Sequence, residues 1–101
     1  MEKWILKLTI ETLWEKMENH QQETFYTAKR LPFTYIIKGG EMFVDRRSKS
    51  ITKATFARAL EKIQGDPEHI TGPKALNVFG APYIFAVLRN LKEKEEQETA
   101  H

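Results

Sequence analysis

Apolar residues recur at helical spacing along the start of the chain. Leu6, Ile10, Leu13 and Met17 fall on one stripe with Trp14 beside them, and no Gly or Pro intervenes. The pattern predicts one long helix over 1–21 whose stripe covers the core. Trp4 and Leu8 project from another side of that helix. They are candidates to meet a protein partner or a second copy of the chain, as a homodimer, with burial under a loop as the plainer alternative. From Thr24 to Asp45 the composition turns to Thr, Phe, Tyr, Ile and Val, the residues of strands. TFYT makes a first strand, and KRLP turns the chain, with Pro32 marking a strand start because it cannot donate in a ladder. Phe33, Tyr35 and Ile37 then alternate with Thr34, Ile36 and Lys38 on a second strand. Gly39-Gly40 signals a tight hairpin into a third, EMFVD.

A second helix is expected over Thr52–Gln64, capped by Ser50 or Thr52 and closed by Gly65 at its C′ position. Phe56, Leu60 and Ile63, with Ala57, give it a core stripe. DPEHITGPKALNVFGA, rich in Pro and Gly, reads as irregular. Pro82 suits the first turn of a final helix, with Ile84, Val87, Leu88 and Leu91 buried and Tyr83 and Phe85 at its flanks. The expected order is α-β-β-β-α-α: a long N-terminal helix, a three-stranded antiparallel sheet and two C-terminal helices. This α+β domain spans residues 1–91, followed by a charged tail over 92–101.

Composition narrows the setting. With 101 residues, 41% hydrophobic, the chain supports one modest core. No apolar run approaches the roughly eighteen residues that span a bilayer. The charged N-terminus lacks the apolar centre and cleavage site of a secretory leader. Cysteine is absent, which removes disulfide scaffolds, thiol nucleophiles and thiolate metal sites together. A cytoplasmic protein without membrane attachment is the expectation. The formal charge of +2 conceals a division. Residues 1–21 are −1, residues 91–101 are −2, and residues 22–90 carry eleven Lys or Arg against six Asp or Glu, a net +5. A basic body between acidic ends suits an anionic polymer; an unevenly charged solvated surface accounts for the same figures.

Enzyme motifs are sparse. There is no phosphate-binding loop, dinucleotide fingerprint or nucleophile elbow. His20, His69 and His101 lie far apart, and each is expected at the surface rather than on a metal. Glu41 and Asp45 share one side of a strand, and with Lys38 or Lys53 they support the least favoured reading, a metal-dependent hydrolase. No catalytic residue, metal or cofactor is assigned.

The basic segment says more. Arg46, Arg47 and Lys49 form a loop leading into the second helix. The start of that helix offers unpaired N–H groups and a positive dipole end. Ser48, Ser50 and Thr52 place hydroxyls at the same spot, a combination that grips phosphate. Lys53 follows, and Thr55, Arg58 and Lys62 fall opposite the apolar stripe, extending a basic line along the solvent face. Lys29 and Arg30 in the first turn add a second basic point, whose distance from the loop the sequence leaves open. Capping and solubility explain the same residues without any ligand. Among the aromatics, strand alternation sends Phe33 and Tyr35 to the core and leaves Tyr26 and Phe43 for an open face.

Phe25-Tyr26-Thr27, Pro32-Phe33-Thr34-Tyr35, a glycine hairpin, Arg47-Ser48, Ile51-Thr52-Lys53, Phe56 with Ala59, and Gly80 before Tyr83-Ile84 and Ala86-Val87-Leu88 form an ordered set. In this set residues 25–88 resemble a small bacterial α+β module found alone or attached to restriction-type DNA-metabolism proteins. The module usually has Gly where Arg30 stands and Ser where Pro82 stands. The resemblance implies a DNA-associated accessory role, with Arg47, Ser48, Thr52 and Lys53 at the matching surface positions, and no catalytic residue. The leading expectation is therefore a module that binds nucleic acid, DNA first, through backbone phosphates. The alternative is a protein-interaction adaptor that uses the N-terminal helix.

Overall fold

A computed structural model describes residues 2–46 and 48–99; Arg47 and His101 therefore lie outside the described residues. The expected N-terminal helix is two helices, α1 (Glu2–Leu6) and α2 (Ile10–Asn19). Thr9 breaks it. Its hydroxyl accepts the Thr12 N–H at 3.1 Å while the Thr12 hydroxyl accepts the Thr9 N–H at 2.9 Å, a reciprocal cap. The turn swings Ile5 and Leu8 inward; Leu8 is only 8% exposed, and Trp4 packs partly against the same core. Of the proposed partner-facing pair, Leu8 is thus covered by the chain's own core and Trp4 only in part. The Gln64 amide donates to the carbonyls of Ile5 (2.9 Å) and Leu8 (2.7 Å), tying the end of α1 and the turn after it to the side chain of Gln64.

The β region holds five short strands where the sequence suggested three. Phe25–Tyr26 (β1) pairs with Pro32–Phe33 (β2), and Tyr35–Lys38 (β3), Glu41–Val44 (β4) and Ile51–Thr52 (β5) form an antiparallel sheet in that order. The expected second strand is interrupted at Thr34, whose N–H donates to the Asp45 carboxylate while the Asp45 N–H donates back to the Thr34 carbonyl, both at 3.1 Å. TFYT consequently pairs only with β2, and the third strand of the larger sheet is the Ile51–Thr52 pair. The β3–β4 turn has Gly39 and Gly40 at φ +56° and +78°, values that side chains resist. Amide side chains close the outer edges. Gln21 accepts from the Ile37 N–H on β3, and Asn90 pairs with both the N–H and the carbonyl of Tyr26 on β1.

Helix α3 (Lys53–Gly65) is capped by Thr52 and ends in Gly65 itself, with Asp66 as C-cap and without the left-handed glycine expected there. The irregular stretch contains one short helix, α4 (Pro73–Leu76). Then α5 (Ala81–Thr99) begins with Pro82 in its first turn and carries the charged segment after Leu91 onward as helix. Its entry is tight: a Cβ on Gly80, at φ +73°, would stand 2.4 Å from the Ile51 side chain. Phe25, Phe33, Tyr35 and Tyr83 stack into one end of the core, and Trp14 meets Phe56 edge-on at 5.6 Å. The Tyr35 hydroxyl donates to the Met17 carbonyl at 2.7 Å. Burial, together with the charge of Glu23, pushes that hydroxyl well above its ordinary value. The molecule is a mixed α+β domain with a three-stranded antiparallel sheet and helices packed against it.

Candidate nucleic-acid interface

The turn between β1 and β2 is wound around Thr27. Its carbonyl accepts from Arg30 (2.9 Å), its N–H donates to Leu31 (3.0 Å), and its hydroxyl accepts the Leu31 N–H (3.1 Å). This clamp holds Arg30 at φ +65°, a region glycine enters freely and arginine enters at a cost. Lys29 and Arg30 stand exposed at the tip. At the far end of β4 the Arg46 guanidinium donates to the Pro32 carbonyl at 3.1 Å, so the loop after β4 lies against the base of this hairpin. Ser48 and Lys49 continue that loop in solvent. The Arg46 bond sets the exposed loop with Arg46 and Lys49 against the hairpin whose turn carries Lys29 and Arg30. Among the described residues none of the four is joined to a carboxylate.

The start of α3 is elsewhere. The Lys53 N–H donates to the Gly40 carbonyl at 2.9 Å, which anchors the helix at the hairpin end of β4. At about 3.3 Å per residue, the Asp45–Arg46 corner lies roughly 13–16 Å away along the strand. The helix cap is also occupied. Thr52 accepts the Thr55 N–H at 3.2 Å, and Glu41, paired across the ladder with Thr52, holds its carboxylate against the Ser50 hydroxyl. The carboxylate on Ser50 puts a negative charge on the segment that leads into α3, which disfavours a phosphate there. The single phosphate grip expected from Arg46 to Thr52 therefore divides, and Thr52 serves as a cap. The basic line on α3 is interrupted too: Thr55 is buried, Glu61 shares the outer face with Arg58, and Lys62 donates to the Leu76 carbonyl at 3.2 Å.

One basic residue escaped the sequence reading. Arg89, on the exposed side of α5, faces a cleft of about 420 Å³ lined by Tyr26, Thr27, Arg30, Arg89, Asn90 and Glu93. Tyr26 is 50% exposed. The same arginine borders an apolar hollow of about 310 Å³ between Ile5, Ile63, Ile70 and Phe85. Its signal in the sequence was a lone cation at a solvent position between Leu88 and Leu91, which says nothing about a hairpin sixty residues earlier.

A second group of titratable side chains lies where α2 ends and α5 passes it. His20 is a correction: only 4% exposed, it caps α2. Its ring donates to Glu23 at 3.0 Å and lies 3.6 Å from Glu95. Lys94 pairs with Glu23 at 3.0 Å, and Lys16 with Glu95. Burial alone would raise the Glu23 carboxyl. The hydrogen bonds from Lys94 and His20, with the electrostatic pull of both, outweigh burial and hold the carboxyl below its usual 4.5. Glu41 and Asp45 are each bound to neighbours, to Ser50 and to Thr34. Among the described residues no cluster of three or more His, Asp or Glu is arranged for a metal, and no helix is long and apolar enough to cross a membrane. Compared with known protein families, characterised proteins and solved structures, the chain matches none of them.

Proposed function

We propose that this protein is a small accessory module that binds nucleic acid through its backbone phosphates, at the edge formed by the β1–β2 turn and the loop after β4. The observation that carries the reading is the 3.1 Å bond from Arg46 to the Pro32 carbonyl. It sets the loop that carries Arg46 and Lys49 against the hairpin that carries Lys29 and Arg30. Four exposed cations on two adjoining loops suit a polyanion whose charges repeat, and they carry no feature that reads a base edge. Ser48 adds a hydroxyl to the same loop. The resemblance of residues 25–88 to a module of DNA-metabolism proteins makes DNA the first polymer to test.

The test is duplex DNA binding across a salt series. Affinity is expected to fall steeply with salt, by a slope of about −0.9 for each phosphate neutralised. Lys29→Ala, Arg30→Ala and Arg46→Ala should each make the slope shallower by about one. Arg58→Ala, on α3 and away from this edge, should leave it unchanged. No retention at low salt, or a larger effect from Arg58 than from Arg46, would overturn the assignment.

A further inference from the structure

Resting on the phosphate-binding reading, we propose that the cleft between the β1–β2 hairpin and α5 is a subsite for one unstacked nucleotide, so that the preferred ligand is single-stranded. The cleft brings together three kinds of group that match the three parts of a nucleotide. Arg30 and Arg89 approach it from the hairpin and from the helix, and among the described residues neither is joined to a carboxylate. Two guanidinium forks are suited to one phosphate. Tyr26, half exposed on the outer side of β1, offers a ring of the kind on which a base stacks. Glu93, one turn beyond Arg89 on α5, is an exposed acceptor for the N–H groups that every base carries on its pairing edge, and it excludes a second phosphate from that end.

The geometry of the cleft is fixed from both sides. Asn90 takes no part in the ligand's recognition, because its amide is already spent. It accepts the Tyr26 N–H and donates to the carbonyls of Tyr26 (3.1 Å) and Ala86 (2.6 Å), fastening β1 to α5. Thr27 holds the turn that presents Arg30. A base inside a duplex cannot enter such a cleft without leaving its stack, whereas a single strand offers one at little cost.

The experiment compares a single-stranded oligonucleotide with the duplex of the same sequence at low salt, for the wild-type chain and for Tyr26→Ala, Tyr26→Phe and Arg89→Ala. Wild-type protein is expected to bind the single strand about ten-fold tighter or better. Tyr26→Ala should weaken single-strand binding by roughly five- to hundred-fold, the usual effect of losing a stacked aromatic. It should shift duplex binding by less than about two-fold on that same argument. Tyr26→Phe should retain affinity and Arg89→Ala should lose it for the single strand. Equal binding of both forms, or a Tyr26→Ala variant indistinguishable from wild type on the single strand, overturns the subsite and leaves the phosphate edge standing. Failure to bind either form at low salt overturns both. Circular dichroism of each variant checks that the hairpin is intact.

Discussion

Arg30 separates stability from binding within a single side chain. Its φ of +65° costs about 1–2 kcal/mol relative to a right-handed conformation, and only glycine avoids that cost entirely. Replacing it with glycine also frees the unfolded chain, which takes back about 0.4–1 kcal/mol. The difference favours the variant, so Arg30→Gly is expected to be more stable than wild type by about 0.5–1 kcal/mol. The clamp from Thr27 does not involve the replaced side chain and persists. Binding should move the opposite way, since the guanidinium is lost from the basic edge and from the cleft. Urea denaturation beside nucleic-acid titration checks this. A variant both less stable and weaker in binding would mean that the arginine serves the fold, and strain would not then mark a working site.

Alternation and helical spacing made some elements legible and hid others. Period-two alternation placed Phe33 and Tyr35 in the core and Tyr26 and Phe43 on the surface, because each residue's direction follows from its neighbour's. The break at Thr9 was hidden because the N3 partner of its cap is Thr12, whereas the usual sequence signature has Glu or Gln there. His20 looked superficial because the carboxylates that enclose it, Glu23 and Glu95, come partly from the far end of the chain. The candidate site suffered in the same way: Lys29, Arg30 and Arg46 were visible as cations, but their common edge depends on a bond to a proline carbonyl fourteen residues away. The fifth strand was read only as a helix approach, since two residues carry no periodicity; it is held by its ladder to β4, with Ile51 packed close to Gly80. Gly80→Ala would force a Cβ to 2.4 Å from Ile51 and keep φ at +73°. Overpacking and backbone strain together should cost about 2–4 kcal/mol. Ile51→Val removes the nearest atom, so Gly80→Ala with Ile51→Val should be less destabilised than the two single variants added together. Strict additivity in urea midpoints would place the cost in the backbone alone.

At the scale of the whole molecule the charge division acquires a structural meaning. The acidic ends of the chain meet, because α5 runs back along the end of α2. There Lys16, Glu95, His20, Glu23 and Lys94 form a continuous series of contacts, with the Lys94 ammonium also 4.9 Å from the centre of the Phe25 ring. Glu95 from the C-terminal segment and Glu23 from the basic body are engaged on this seam, while Lys29, Arg30, Arg46 and Lys49 stay open to solvent. Glu23 links the turn after α2 to α5, and its folded carboxyl sits below the usual 4.5. Below that value the unfolded chain binds more protons at this position than the folded one, so acid favours unfolding. The contribution of Glu23 is therefore fully present above about 4.5 and is lost as pH falls through the lower folded value. The Glu23 side chain is 43% exposed, so solvent screens the pairs and the effect at neutral pH is small. Glu23→Gln should lower the urea midpoint slightly and uniformly from neutral pH down to about 4.5, and the gap to wild type should then close in more acidic buffer. If the gap instead stays constant through the acid limb, the carboxylate's charge contributes nothing and the seam is held by packing. If it closes as expected, the same variant should leave the salt slope of nucleic-acid binding unchanged, since the seam and the proposed phosphate edge share no residue.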